Sequence, residues 1–384
     1  MNRRSLLVGL MALAIAQSAC RQNADNTLTV AALKGIVPPR LLSDVENTLS
    51  DRMKLRLTTR QSLADLFKQL QDWQASLSQA ADTDNAVVVN TANWVGLSDY
   101  WLTAAIQQQL ISPLKEPRDI PGWSTLPAQW RTLLQRNDQG LPMEAGTWWA
   151  APYRWGHLTI AYSRRHFDRL GWQPTAWEDL LRPEFKERIA LPNHPRLVLG
   201  IVLKSLGYSA NDLDPTAHSD VIDRLNQLSS QVRVYASDNY LQSLIMGDVW
   251  LAAGWSTDIQ PVLSRYRQLG AVSPKPSTLL TADVWAKPNP QIGSDDPQSL
   301  TTADKTWLSY WWQQDVLTPL SLFSQGLSPL LLDANIGSEL LNDSLGSVLI
   351  PNAEQLQESE FILPLPREAI ATYTQLWQAL RRSK

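Results

Sequence analysis

The sequence predicts an α/β fold arranged as two lobes, and three observations support this prediction. The chain has 384 residues, 44% hydrophobic and 18% charged, so it is long enough for two cores and is not disordered by composition. Strand-like and helix-like segments alternate from Thr27 onward. The alternation starts again at Arg188, which indicates a second α/β unit.

The first unit begins with "TLTVAAL", an apolar strand, and "PPRLLSDVENTLSD", whose prolines suit the first turn of a helix. "MKLRLTT" alternates as a second strand, and the helix "QSLADLFKQLQDWQASL" follows it. The run "AVVVN" is continuously apolar, as in a strand buried on both faces of a parallel sheet. This order predicts a parallel sheet covered by helices.

The second unit is a longer alternation of the same kind. Its predicted strands are "RIALP", "VRVYAS" and "VWLAAGW". Its predicted helices are "PRLVLGIVLKSLG", "SDVIDRLNQLSSQ", "DNYLQSLIMGD" and "TDIQPVLSRYRQ". The segment "LLTADVWAKPNP" then predicts a strand ending at Pro288, and helices are expected around residues 303–314 and 369–382.

The N-terminus, "MNRRSLLVGLMALAIAQSACRQ", has the pattern of an export signal. Two arginines precede an apolar run that is shorter than the roughly 20 residues a membrane span needs, and small residues follow it. This predicts a signal peptide over residues 1–19. Cys20 resembles the lipidated cysteine of a bacterial lipoprotein, which makes residues 20–26 a lipidated N-terminus and linker. "RRSLL" also resembles a twin-arginine signal, so both export routes stay open.

Composition excludes several classes of function. The net charge is −3, so the chain has no basic field for a nucleic acid partner. One cysteine allows no intramolecular disulfide and no cysteine metal cluster. The four histidines lack ligand spacing, and no phosphate loop, nucleophile elbow or dinucleotide fingerprint occurs. We therefore expect no metal, no cofactor and no catalytic site. Most of the 17 tryptophans must serve packing.

The stretch "APYRWGHLTIAYSRRHF", residues 151–167, places a proline and a glycine around aromatic residues just before a strand-like alternation. Proline and glycine both weaken a strand, so this stretch predicts a special geometry: a turn, a hinge or the wall of a binding site.

Four segments resemble those of the periplasmic spermidine/putrescine-binding proteins of ABC transporters. They are "APYRWGHLTIAYS", "AWEDLLRPEFKERIALPNHPRLVLGIVLKSLGYSANDLDP", "YASDNYLQSLIMGDVWLAAGWS" and "TADVWAKP". The resemblance extends from Thr27 onward and is strongest between Ala151 and Pro288. It implies a type II periplasmic-binding fold: two α/β lobes joined by hinge crossovers, with a ligand cleft between them, and no enzyme activity.

The resemblance also implies how the chain divides. Residues 27–153 and 282–335 would form lobe one, and residues 154–281 and 336–384 lobe two. The stretch from Ala151 would cross between them, with Tyr153 and Trp155 lining the cleft mouth and Gly156 absorbing a change of dihedral angle. The alternative is that both aromatics only cap the core.

Two residues match the ligand contacts that the family implies. Trp255 matches a tryptophan that stacks on ligand methylenes, and Asp283 matches a carboxylate that holds an ammonium. A carboxylate on an apolar strand needs a cation or several donors, and an amine would meet that need. The alternatives are that backbone donors or Lys287 satisfy Asp283 and that Trp255 belongs to the core.

Other positions depart from the family pattern. Lys34, in "LKGI", stands where an aromatic and acidic motif is expected, and His194 and Leu197 stand where two acids are expected. Leu327 replaces a tyrosine. Asn90 and Trp94 follow the third predicted strand, where polar and aromatic ligand contacts are expected. A dication needs anionic partners at both ends, so these departures argue against spermidine itself.

The resulting interpretation is a monomeric solute-binding component of an ABC importer, anchored to the lipid bilayer on the periplasmic side through Cys20. It would take a small polar or cationic, polyamine-like solute and deliver it to a permease. Two alternatives stay open. The same fold could bind a quaternary ammonium, a sugar-like solute or an anion. The scaffold could also carry an anchored enzyme or assembly protein.

Overall fold

A computed structural model of the chain describes residues 27–49, 53–81, 91–237, 239–290, 299–333, 335–336 and 349–382. The predicted signal peptide, Cys20 with its linker, and the predicted strand "AVVVN" with Asn90 lie outside the described residues.

The strands are, in chain order, β1 Thr27–Leu33, β2 Lys54–Arg60, β3 Trp94–Ser98, β4 Ile111–Ser112, β5 Gln135–Arg136, β6 Thr147–Trp148, β7 Ala151–Ser163, β8 Ile189–Pro192, β9 Val232–Ala236, β10 Leu251–Trp255, β11 Leu269–Val272, β12 Leu279–Pro288 and β13 Glu360–Phe361. The α-helices are α1 Pro39–Thr48, α2 Leu63–Ala81, α3 Asp99–Gln107, α4 Gln129–Leu134, α5 Arg164–Leu170, α6 Pro195–Ser205, α7 Ser219–Gln231, α8 Tyr240–Met246, α9 Ser256–Arg265, α10 Thr302–Tyr310, α11 Gln314–Phe323, α12 Ala353–Gln357 and α13 Arg367–Arg382.

One sheet runs through both halves of the molecule, in the order β2-β1-β3-β12-β7-β10-β8-β9. At one end β1 pairs in parallel with β2 and β3, and at the other end β8 pairs in parallel with β9 and β10. The long strands β12 and β7 lie between these parallel groups and run antiparallel to each other and to their neighbours β3 and β10. The predicted fold of two α/β lobes joined by crossing strands is confirmed.

Most of the predicted elements that fall on described residues are confirmed, and several further elements were not predicted, among them β3, α3 and α11. The predicted strands at 27–33, 53–59, 188–192, 232–237 and 249–255 correspond to β1, β2, β8, β9 and β10, and the strand ending at Pro288 is β12. The helix predicted around 303–314 ends at Tyr310, and a second helix, α11, starts at Gln314. Helix α11 contains Pro319, which weakens its helical pattern in the sequence.

The stretch that starts at Ala151 is one buried strand of 13 residues. Arg154 lies opposite Asp283 and Pro152 opposite Val284, so Tyr153 is an extra residue in the ladder. This bulge accommodates Pro152, which has no N–H to donate. At Gly156 a Cβ atom would lie 2.9 Å from Thr257 Cγ2 and 3.1 Å from Ser256 Oγ. A glycine is therefore needed where β7 passes the start of α9.

Each lobe has a core on both faces of the sheet. In lobe one Leu28, Val30 and Ala32 pack on the α1 side, whereas Ala31 faces the opposite core, as the alternation of a strand requires. In lobe two Leu158 and Ile160 face one core and Ala161 the other. As expected, many tryptophans are packing residues, and the most deeply buried are Trp94, Trp130, Trp155, Trp177, Trp285, Trp307 and Trp311.

The C-terminal segment contributes to both lobes. Leu356 and Phe361 pack in the core of lobe one, and β13 pairs with β12. Tyr373 and Leu380 of α13 pack in the core of lobe two. The predicted residue boundaries of the lobes stay a prediction.

Candidate functional site

The polar ends of the strands converge where the lobes meet. In lobe one β3 ends at Ser98, which lies opposite Asp283 of β12. In lobe two β10 ends at Trp255, and α9 starts at Ser256, beside Gly156 of β7. In α/β sheets the carboxyl ends of parallel strands are the usual place for a ligand. We refer to this region, around Ser98, Tyr100, Arg154, Asp283 and Trp255–Asp258, as the junction.

A buried ion pair lies at the centre of the junction. The Nε atom of Arg154 donates to Oδ2 of Asp283 at 2.6 Å, and the two residues are directly opposite each other on β7 and β12. The Nη1 atom of Arg154 also donates to the carbonyl oxygen of Ser324. The side chains are 7% and 17% exposed, respectively. A guanidinium that is buried to this degree needs such partners.

Residues 324–328, which we call the covering segment, pack over this ion pair, and this packing depends on a glycine. A Cβ atom at Gly326 would lie 2.8 Å from Cδ of Arg154, so only glycine lets the backbone pack onto the arginine. The next residue, Leu327, exchanges backbone hydrogen bonds with Trp155 in both directions. The segment is therefore held against β7 on one side of Arg154.

A second carboxylate lies near the pair. The Tyr240 hydroxyl donates to Oδ2 of Asp258 at 2.7 Å. The pKa of Asp258 is raised, chiefly by burial and also by the charge of Asp283, whereas the Tyr240 hydrogen bond and Arg154 act in the opposite direction. Although its surroundings are crowded, Asp258 keeps exposed surface in the first turn of α9. The junction thus brings together two carboxylates and one guanidinium.

A further carboxylate, Asp99, is buried beneath the junction at the start of α3. It accepts hydrogen bonds from the hydroxyls of Thr281, at 2.8 Å, and Ser98, at 3.1 Å. Burial raises the pKa of Asp99 to about 6, although these hydrogen bonds and the charge of Arg136 oppose the shift. With 6% of its surface exposed, Asp99 links α3 to β12 and does not line the cleft.

Two rings meet edge to face across the lobes. Tyr100 of α3 is 66% exposed, and its ring centroid lies 5.8 Å from that of His194, which precedes α6. Burial, and then the charge of Arg196, lower the pKa of His194. Sequence reasoning missed Ser98–Tyr100. The sequence did contain a signal for these residues, since a serine, a preferred helix-capping residue, directly follows an apolar run. In the structure Ser98 Oγ accepts the backbone N–H of Tyr100.

Four of the predicted site residues lie at or beside the junction. Asp283 belongs to the ion pair, and Trp255 is half-buried at the end of β10. Lys34 is exposed just after β1, where its backbone N–H donates to the carbonyl oxygen of Arg60. His194 is half-buried opposite Tyr100.

Three other predicted site residues lie in the core. The Trp94 indole N–H donates to Asp304, the Tyr153 hydroxyl to the carbonyl oxygen of Ile36, and the Trp155 indole N–H to that of Ser328. None of the three side chains is more than 1% exposed. In this structure these three side chains are packed in the core and have no surface that a solute could contact. Asn90 lies outside the described residues.

A cavity of about 780 Å³ lies elsewhere on lobe one. Its walls include Trp123, Trp148 and Arg131, and none of the junction residues lines it. Within the described ranges, no group of three or more histidine, cysteine, aspartate or glutamate side chains is placed to hold a metal ion. In the same part of the chain, no helix combines the length and apolar character that a membrane span requires.

Comparison with known proteins shows the class to which this fold is related. The profile of the family described as bacterial extracellular solute-binding protein matches residues 94–342. A putrescine/cadaverine-binding protein of Pseudomonas aeruginosa is 28% identical over 120 residues, which are 30% of this chain and 34% of that protein. The spermidine/putrescine-binding periplasmic protein 1 of Haemophilus influenzae is 24% identical over 288 residues, 75% of this chain and 74% of that protein.

Among solved structures, the spermidine/putrescine ABC transporter substrate-binding protein of Streptococcus pneumoniae superimposes with a TM-score of 0.72. The alignment covers 93% of this chain and 99% of that protein, at 19% sequence identity. At this identity the likeness shows the fold. The specificity depends on the residues at the junction.

Proposed function

Because this chain belongs to the bacterial extracellular solute-binding protein family, we propose that it is the substrate-binding component of an ABC importer and works in the periplasm. It would capture a small polar or cationic organic solute between its lobes and present it to a permease. The observation that carries the choice of a cation is the pair of carboxylates, Asp283 and Asp258, with a single guanidinium between the lobes.

The chemistry of the junction supports this proposal. Two carboxylates against one guanidinium leave a negative charge that an organic cation would neutralise. Trp255 adds a half-buried indole at the end of β10, and an aromatic face attracts cations as well as apolar groups. Members of this family bind solutes and are not enzymes.

Capture would use the crossing strands. Both lobes are built on β7 and β12, so a change of the angle between the lobes can be distributed along these strands. Tyr100 and His194 are already in edge-to-face contact from opposite lobes. A solute that contacts both lobes would stabilise the closed form through its higher affinity for that form.

The test is a titration of the purified protein with polyamines, quaternary ammonium compounds, amino acids, sugars and oxyanions. A cationic solute at about 100 times its Kd should add about 2.7 kcal/mol to the free energy of unfolding and raise Tm. Asp283→Asn should weaken its binding by about 10- to 100-fold, because the net negative charge of the junction is lost and the guanidinium of Arg154 is left unpaired. Calorimetry measures both affinities.

The matched control is Asp223→Asn, which removes an exposed carboxylate on α7, away from the junction. It should leave the affinity unchanged. Binding of only neutral or anionic solutes, or equal affinities in the Asp283 variant and the unmodified protein, would contradict the assignment of a cation site to the junction.

A second candidate ligand class is an anion, and one observation favours it. Lys34 is exposed at the carboxyl end of β1 and brings a positive charge to the rim of lobe one. An oxyanion or a carboxylate would then lie between Lys34 and Arg154. In the same titration this candidate predicts that oxyanions raise Tm and that amines do not.

The N-terminal segment supports an anchored form of the same protein. We propose that Cys20 is lipidated and attaches the protein to the bilayer, as the position of this cysteine after the apolar run suggests. A polar spacer, "RQNADN", would separate the anchor from β1 and leave the lobes free to meet the permease.

A further inference from the structure

We propose that Arg154 is a built-in counter-ion for Asp283, and that the junction therefore accepts a solute with a single cationic centre rather than a linear diamine. The inference deepens the proposed function and rests on it. It makes Arg154 a specificity-determining residue. The carboxylate from which a diamine site would be expected is already neutralised by the chain itself.

The geometry fixes Arg154 in this role. It is directly opposite Asp283 in the antiparallel ladder, and its Nε lies 2.6 Å from Oδ2. The second contact, from Nη1 to the Ser324 carbonyl oxygen, holds the guanidinium against the covering segment. Two strand positions and a backbone acceptor thus place the guanidinium beside Asp283.

The charged side chains of the junction can therefore bind one ammonium group of a solute. The Arg154–Asp283 pair is internally neutral, which leaves Asp258 as the carboxylate available to a cation among the described residues of the junction. Tyr240 orients this carboxylate through its hydroxyl, at 2.7 Å. A first ammonium can lie at Asp258. A second ammonium at Asp283 would have to approach the guanidinium of Arg154, and like charges in a partly desolvated site repel strongly.

The rim of lobe one strengthens this selection. Lys34, after β1, adds a further positive charge at the edge of the sheet where the parallel strand β3 also ends. Exclusion of a competing solute by a placed like charge is a common source of specificity. A solute with one ammonium, with or without a carboxylate at its other end, avoids both repulsions.

Three four-carbon probes isolate the charge of the solute: 1,4-diaminobutane, n-butylamine and 4-aminobutyrate. Calorimetry at fixed ionic strength would measure the affinity of each for the unmodified protein, for Arg154→Met and for Arg165→Met. We expect the unmodified protein to bind at least one of the single-ammonium probes about tenfold more tightly than 1,4-diaminobutane. Arg154→Met should reverse the preference, because Asp283 becomes available. Arg165 is exposed on α5, so Arg165→Met should leave the preference unchanged.

Asp283→Asn provides a second readout that does not require the Arg154 variant to fold. It leaves the guanidinium without its carboxylate, so the affinity for 4-aminobutyrate relative to n-butylamine should rise by about tenfold. An unchanged ratio in this variant would count against the inference.

The possible outcomes separate the inference from the proposed function. If 1,4-diaminobutane binds the unmodified protein as tightly as the single-ammonium probes, the inference is overturned and the cation-binding function stands. If none of the three probes binds the unmodified protein or the Arg154 variant, the proposed cation-binding function is overturned as well.

Discussion

Buried charged residues in lobe one are paired and hydrogen-bonded, as Asp304 shows. Asp304 is 2% exposed and accepts hydrogen bonds from Lys287 Nζ at 2.9 Å, Trp94 Nε1 at 2.8 Å and the Thr301 backbone N–H at 2.9 Å. The Lys287 side chain is itself only 9% exposed. One carboxylate therefore joins β3, β12 and the start of α10.

Asp304→Asn should lower the free energy of unfolding by about 3 kcal/mol or more, because it leaves the Lys287 ammonium buried without its counter-charge. Urea denaturation followed by circular dichroism measures the change. Asp72→Asn removes the exposed partner of Lys68 and should cost less than about 0.5 kcal/mol. Equal effects of the two substitutions would contradict a structural role for this carboxylate.

The sequence predicted that Asp283 needs a cationic partner, but it did not predict which residue that partner is. An aspartate on an apolar strand predicted a cation for Asp283, and the cation proved to be Arg154, 129 positions away in the chain. That pairing depends on the register of β7 against β12, shifted by the bulge at Tyr153, which no local pattern encodes. Tyr100 was missed because exposure depends on where α3 lies in the whole molecule.

The secondary-structure elements were predicted more reliably than the site, because strands and helices have local signatures. Apolar runs and helical periodicity located β1, β8, β10 and α6 to within a few residues. Pro152 and Gly156 predicted a special geometry in β7, but the bulge itself was not predicted, because it depends on the partner strand. Trp155 likewise has the composition of a cleft residue, and the packing of residues 324–328 over it makes it a core residue.

The central strand β7 also contains a buried histidine, His157, whose contribution to stability depends on pH. His157 has no exposed surface, and neither ring nitrogen has a hydrogen-bond partner in the part of the chain that the structure describes. Burial lowers its pKa from 6.5 to about 3. The unfolded chain therefore binds a proton between these pH values that the folded chain does not, so the contribution of this group to stability falls as the pH falls.

His157→Leu should remove part of the acid sensitivity of the protein. At pH 5 the protonation of this histidine in the unfolded state alone lowers the free energy of unfolding by about 2 kcal/mol relative to pH 8. We expect the loss of stability between these two pH values to be smaller in the variant by about this amount. Chemical denaturation at both pH values gives the comparison, and identical pH profiles would show that His157 is not buried in its neutral form.

At the scale of the whole molecule, the proposed lipid anchor determines where the lobes work. Cys20→Ala should move the protein from the membrane fraction to the soluble periplasmic fraction, because a lipid chain supplies the apolar area that holds it to the bilayer. Fractionation and immunoblotting of cells that express either form would measure this. The control is the solute affinity of the purified variant, which should be unchanged. Continued membrane attachment of the alanine variant would contradict the anchor.

The passage of β7 and β12 through both lobes also determines how the molecule loses its structure. If the halves were joined only by loops, each could melt independently. Here the ladder of one half cannot be lost without unpairing the strands on which the other half is built. Heat or a damaging substitution in either half therefore acts on one cooperative unit, and a captured solute protects both halves together.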